Sequence, residues 1–248
     1  MDPKFKRCSY VRYADDFVVG VIGSRLDAEI ILEKCRVFLD KNQALSLNLD
    51  KTKITHFPSK AVHFLGADLK GCQHLKGTFI SSYKRKDGTS RKVATSMNFR
   101  IEAPITKILD KLVSAGFFRM KQGKYNPTRV GRLVNFDMPD ILRYYKQVID
   151  GYLNYYTFAD NRASLGMIVH GLKHSCALTL KSKFKLRSRA AVFKKFGSKL
   201  TYTEVIKESE GRATEKKYML NIPNNFKRLP FSKRFVTHEI SLPNIYRV

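Results

Sequence analysis

Cys8-Ser9-Tyr10-Val11-Arg12-Tyr13-Ala14-Asp15-Asp16-Phe17-Val18-Val19-Gly20-Val21 decides how the chain is read. Two short runs rich in β-branched and aromatic residues, Cys8 to Tyr13 and Phe17 to Val21, flank the polar step Ala14-Asp15-Asp16. That pattern predicts a tight β-hairpin. Adjacent carboxylates at such a turn are costly, because like charges this close disfavour mutual ionisation. A divalent cation removes the cost, and Mg²⁺ ions held by paired carboxylates clamp the attacking and leaving oxygens in phosphoryl transfer. A bare Asp-Asp more often only makes a turn. Its place between two apolar strands sets this one apart.

Downstream of the hairpin, Ser24 with Asp27 three residues later reads as a capping box opening a helix to about Asn42. Lys53 to Phe57 and Val62 to Leu69 read as short strands. A polar two-stranded excursion follows, with Asp87-Gly88 as its turn. From Pro104 the pattern becomes helical. Ile105, Ile108, Leu109, Leu112 and Val113 recur at helical spacing, and Gly116 is a stop signal. Ile141, Leu142, Tyr145, Val148, Ile149, Tyr152, Leu153 and Tyr156 form an apolar stripe on a helix from Asp140 to about Phe158. Gly151 inside it predicts a close helix–helix approach. Leu165, Ile168, Val169, Leu172, Cys176 and Leu180 supply the partner helix, and Lys181 to Lys199 reads as a third helix or arm ended near Gly197. The expected class is α+β.

The chain has 248 residues and carries 47 Lys+Arg against 21 Asp+Glu, a formal net charge of +26. Such self-repulsion makes a polyanion the leading partner, with a membrane surface as the rival. The charge is uneven: residues 1–70 hold 12 basic and 9 acidic residues, a net of +3, which leaves +23 for residues 71–248. The second part therefore reads as the polyanion-binding surface. Cys8, Cys35, Cys72 and Cys176 are scattered without a CxxC, excluding a disulfide framework and a zinc ribbon. No apolar run approaches the ~18 residues of a bilayer span, so no membrane insertion is expected. Met1-Asp2-Pro3-Lys4 leads straight into strand-like sequence, with no cleavable presequence visible.

Tyr13-Ala14-Asp15-Asp16-Phe17 resembles the catalytic block of group II intron reverse transcriptase/maturases, and further blocks follow in order. Leu47 to His56 is similar to the next block, and Val62-His63-Phe64-Leu65-Gly66 to the primer-grip turn. Arg132-Leu133-Val134 through Tyr156 is similar to the opening of the maturase (X, or thumb) domain. His174 to Lys181 with Arg187 to Gly197 is similar to its end. The resemblance covers residues 2–200. It implies the C-terminal portion of a reverse-transcriptase palm at 1–100 and a helical thumb/maturase domain at 101–199, and the positive charge beyond Tyr202 reads as a basic C-terminal tail at 200–248.

The function so implied is binding group II intron RNA and assisting its splicing, with a DNA target or primer as a further partner. In an RNA-directed DNA polymerase of this kind, Asp15 and Asp16 would ligate Mg²⁺. Lys51 would assist pyrophosphate departure, and Phe64, Leu65 and Gly66 would support the primer end. A third carboxylate and the fingers belong upstream of Tyr13, where Asp2 is the sole acid. The expectation is therefore a chain inactive alone, its N-terminal reverse-transcriptase half supplied in the same precursor or in trans. The alternatives are a catalytic portion of a longer or split enzyme, or a decayed reading frame. The Lys-rich composition fits an organelle-encoded product, and the resemblance points to a mitochondrion.

Candidate RNA contacts come from two basic runs. Lys181, Lys183, Lys185, Arg187, Arg189, Lys194, Lys195 and Lys199 include no acid and are interleaved with Phe184, Leu186, Val192, Phe193 and Phe196. That interleaving lets the element dock while its charges face out. Lys84, Arg85, Lys86, Arg91 and Lys92 surround the hairpin turn. His170 and His174 at i, i+4 with Cys176 nearby invite a zinc reading, but no fourth ligand accompanies them, so hydrogen-bonded structural histidines are expected. Tyr144 and Tyr155 lie off the apolar stripe and are open to RNA stacking.

Overall fold

The computed structural model describes residues 6–57, 59–71, 79–84, 88–95, 99–207, 213–223 and 226. The chain is a mixture of helix and strand and divides into two compact units, 1–101 and 102–248.

In the first unit, β1 (Arg7–Tyr13) and β2 (Asp16–Ile22) pair antiparallel from Arg7↔Ile22 to Tyr13↔Asp16. Only Ala14 and Asp15 connect them, so Ala14 is forced to a left-handed φ of 51°. Arg12 Nε donates to the Ala14 carbonyl at 2.6 Å and braces the turn. Helix α1 (Arg25–Gln43) opens with the expected box: Asp27 N–H donates to Ser24 Oγ, and Ser24 N–H donates to Asp27 Oδ2. A hydrogen bond from Lys6, then those from Ser24, hold the Asp27 carboxyl down at about 2.

Residues 53–56 are not a strand. The chain instead turns tightly around Asn48, whose Oδ1 accepts from Lys51 N–H and whose carbonyl accepts from Thr52 N–H and Oγ1. The predicted strand Val62 to Leu69 is a hairpin, β3 (Val62–Phe64) and β4 (Ala67–Gly71), folded at Leu65-Gly66 with φ of 46° and 73°. The polar excursion is observed as β5 (Phe79–Lys84) paired with β6 (Ser90–Thr95), and Asp87 of its turn lies outside the described residues. β7 (Phe99–Glu102) completes a sheet of order β3-β4-β7. Among the described residues of this unit only Ala67 is buried, and α1 has no buried residue. Tyr10, Val11, Tyr13, Leu26 and Phe38 are all more than half exposed.

The second unit has a continuous core. α2 (Ile105–Ser114) buries Ile108, Leu109 and Leu112. It ends where predicted: Gly116 takes φ +83°, its N–H bonds the Val113 carbonyl, and Phe117 N–H bonds that of Leu112. A hairpin with no periodic signal follows, β8 (Phe118–Lys121) and β9 (Lys124–Pro127). α3 (Met138–Tyr155) buries Ile141, Leu142, Tyr145, Ile149 and Leu153, and a 3₁₀ turn at Tyr156–Phe158 ends it. α4 (Leu165–Lys183) buries every residue of its predicted stripe, and Val192 of α5 (Arg189–Phe196) seats against the same core. Each fully buried aliphatic or aromatic side chain here contributes about 1.5–3 kcal/mol. Residues 200–220 are more than a tail. β10 (Tyr202–Lys207) and β11 (Ala213–Tyr218) pair along six positions, with Leu200 and Leu220 buried at their base.

Two polar devices fix this packing. Asn161 donates from Nδ2 to the Ala103 carbonyl and accepts the Ala103 N–H at Oδ1, at 2.9 and 2.8 Å, as a neighbouring strand would. In the core, Ser175 Oγ donates to the Thr128 carbonyl and Thr179 Oγ1 to the Ser175 carbonyl. Thr179 Oγ1 also accepts from Val130 N–H. Both hydroxyl protons are thus directed to carbonyls, and the single Tyr145 O–H proton, its oxygen 2.9 and 3.0 Å from the two hydroxyl oxygens, is shared between them. Gly151 makes no close helix approach: a Cβ there would meet nothing within 4 Å. That position of α3 faces solvent. The close approach is at Gly171 of α4, which lies under the Phe118 ring.

Candidate functional site

The hairpin turn sets Asp15 between the strands and Asp16 at the head of β2, both solvent-exposed. Among the described residues, no third His, Cys, Asp or Glu joins them in a group that could hold a metal ion. Lys51 is exposed in the Asn48 turn. Phe64, Leu65 and Gly66 form the β3–β4 corner, where His63 Nδ1 lies 2.8 Å from Asp68 Oδ1 across the register pair His63↔Asp68.

The basic run is built as two helix ends and a turn. Lys181 and Lys183 close α4, Lys185 sits in the turn at φ +49°, and Arg187 precedes the Ser188 cap of α5. Arg189 opens α5, and Lys194 and Lys195 lie in its last turn, where cations complement the helix dipole. The interleaved apolar residues do anchor the element. Val192 is fully buried, and Phe184, Leu186, Phe193 and Phe196 pack on the core. Lys195 Nζ lies over the Phe184 and Phe196 rings at 5.3 and 5.4 Å. Lys185, Arg187, Arg189, Lys194 and Lys195 are exposed, whereas Lys181 and Lys183 are half-buried. This arrangement gives a fixed arc of cations suited to phosphates.

The second basic patch is described only in part. Lys84, Arg91 and Lys92 lie in the paired strands β5 and β6, and Arg85 and Lys86 lie outside the described residues. Tyr144 is half-buried: Phe117 stacks on it at 6.1 Å and Arg132 donates to its hydroxyl at 2.8 Å. Tyr155 is 51% exposed, with its ring edge-on to Tyr156 and Phe158. His170 and His174 bond each other and join no group of three or more metal-binding side chains among the described residues.

The β8–β9 hairpin adds cations that periodicity did not flag. Its register pairs Arg119↔Asn126 and Lys121↔Lys124, which places three exposed basic side chains on one face. The signal was present as Gln122-Gly123, a two-residue step between short polar strands.

A family model described as type II intron maturase matches residues 96–236. The chain belongs to this family. It is 40% identical over 201 residues to the COX1/OXI3 intron 2 protein of Saccharomyces cerevisiae, covering 80% of this chain and 23% of that protein. It is 30% identical over 181 residues to the group II intron-encoded protein LtrA of Lactococcus lactis, covering 73% and 29%. With the mitochondrial nuclear intron maturase 2 of Arabidopsis thaliana it shares 24% identity over 195 residues, covering 77% and 26%. The chain therefore spans about a quarter of the length of these relatives. In this maturase chain the matched segment takes in α2 to α5 and both hairpins of the second unit, and the Asp15-Asp16 hairpin lies outside it.

Proposed function

We propose that the chain is the C-terminal part of a group II intron maturase, whose second unit binds intron RNA and assists splicing. The first unit is read as the end of a reverse-transcriptase palm and the second as the thumb. The observation that carries the reading is the docked run from Lys181 to Lys195, a fixed cationic arc on the unit that the maturase family model matches. A palm completed from upstream or in trans would cover Tyr10, Val11 and Tyr13 and add a third carboxylate to Asp15 and Asp16 for Mg²⁺. A DNA primer or target would belong to that completed form. The mitochondrial relative supports a mitochondrial setting.

The test is a salt titration of intron RNA binding to the full chain. Each neutralised phosphate contributes a slope of roughly −0.7 to −0.9 in log affinity against log salt. Replacing Lys183, Lys185, Arg187 and Arg189 by Ala should make the slope shallower by about two to three, since Lys183 is half-buried and the other three are exposed. Circular dichroism checks folding. An unchanged slope in a folded variant would mean that these charges meet only water. Splicing of the cognate intron should fall in the same variant.

A further inference from the structure

The α4–α5 surface holds a cluster that the basic run does not account for. His170 and His174 stand one turn apart on α4, their Nε2 atoms 3.2 Å apart and their ring centroids 4.3 Å apart. One nitrogen must carry the shared proton and the other accept it. The His174 ring is edge-on to Phe193 of α5 at 5.6 Å, and Lys173 Nζ lies over that same ring at 5.6 Å. From α5, Arg189 adds a second permanent cation, whose charge disfavours the His174 imidazolium. Among the described residues no carboxylate pairs with Lys173, Arg189 or either imidazole. His174 Nδ1 is buried with no hydrogen-bond partner.

Among the described residues the cluster therefore has two fixed charges, two imidazoles and no counter-ion. Two nitrogens at this separation would also fit a transition metal, but flanking cations oppose one and no third ligand is at hand among the described residues. An anion meets none of these objections.

We propose that His170, Lys173, His174 and Arg189 form a phosphodiester site on the α4–α5 face, where RNA binds together with protons taken up by the imidazoles. The proposal rests on the RNA-binding reading above. In the free protein, burial first, then Arg189, His170 and Lys173, hold His174 down to about 4, so it is neutral near pH 7. A phosphate between Arg189 and Lys173 cancels their field and attracts the imidazolium, so the bound form holds its proton more tightly. A group that is more basic in the complex makes affinity rise as pH falls. Restoring His174 to an ordinary imidazole value near 6.5–7 gives about four- to tenfold tighter binding at pH 6 than at pH 8.

The experiment uses the full chain and a fluorescent oligouridylate, whose bases take up no proton in this range, at fixed low salt with a chelator. Anisotropy titrations at pH 8, 7 and 6 should show the four- to tenfold gain. Calorimetry near pH 6.5 in two buffers of different ionisation enthalpy should count net proton uptake. His170→Gln with His174→Gln should bind with an affinity that no longer rises between pH 8 and pH 6. His170→Gln alone alters only the exposed ring and should lose part of the uptake if the double variant fails to fold. A wild type whose binding is flat with pH overturns the proposal, as does a folded variant that keeps the wild-type gain. Absence of oligouridylate binding at every pH would instead sink the RNA-binding reading itself.

Discussion

Glycine to alanine should stabilise the chain at one helix position and fail to do so at another. A Cβ on Gly171 would lie 2.4 Å from Cζ and 2.5 Å from Cε1 of Phe118. Comfortable carbon contacts are ~3.5–4.0 Å, so the ring must retreat by about 1 Å or more. Phe118 is itself buried at the base of β8 and has no solvent to swing into. Overpacking of this kind costs about 1–3 kcal/mol, and better helix propensity returns about 1. Gly171→Ala should thus be neutral to destabilising by about 2 kcal/mol. Gly151, on the exposed side of α3, has nothing within 4 Å of the same added atom. There only propensity acts, and Gly151→Ala should stabilise by about 0.5–1 kcal/mol. Between the two variants the gap is about 1–3 kcal/mol, or roughly 2–12 °C in melting temperature for a unit of this size. Thermal unfolding followed by helical circular dichroism reads it directly. Adding Phe118→Leu should relieve Gly171→Ala non-additively, because the ring edge is what clashes. Equal shifts of the same sign at both glycines, or strict additivity with Phe118→Leu, would refute the packing argument.

Three further outcomes are expected. Asn161→Ala removes both bonds to Ala103 and should cost about 1–3 kcal/mol in urea unfolding, leaving a strand end with unpaired backbone groups. Burial pushes the Cys176 thiol up out of its reactive range, so a thiol reagent should label exposed Cys8 in the folded chain and reach Cys176 only on unfolding. The Asp27 carboxyl should titrate near 2 by NMR, and Lys6→Met should raise it. Because that value lies below the ordinary 3.8, the contribution to stability is present above 3.8 and is lost as pH falls through about 2.

Elements with a strong period were readable from residues alone. The α4 stripe from Leu165 to Leu180, the capping box at Ser24-Asp27 and the β1–β2 turn all lie where the pattern put them. Two of the failures share a cause, which is that turn chemistry outweighed propensity. Lys53 to Phe57 has strand-like residues, but Asn48 captures the backbone ahead of it. Leu65-Gly66 breaks one apolar run into two strands because both residues adopt a left-handed conformation. β8–β9 and β10–β11 went unread for a different reason: β8 and β9 are only four residues each, and β10 and β11 carry Thr, Glu and Lys among few apolar residues, so neither hairpin shows a long apolar alternation. At the candidate site, the positions of Asp15, Asp16 and the basic run were legible, since each depends on local sequence. The charge-bearing face of β8–β9 and the apposition of Lys173, His174 and Arg189 were not. They arise from cross-strand register and from how α5 folds back on α4.

The hydroxyl chain through Tyr145, Ser175 and Thr179 has a consequence on the timescale of hours. Val130 N–H donates to Thr179 Oγ1 in the interior at 3.0 Å, outside any helix or sheet ladder. Fraying of the β8–β9 tip leaves that bond intact, and breaking it means lifting residues 128–130 off α4. Amide exchange at Val130 should therefore track global opening of the helical unit, while the amides of Gln122 and Gly123 exchange with the hairpin tip. A single backbone proton in an irregular segment would then act as the slow clock of the whole core.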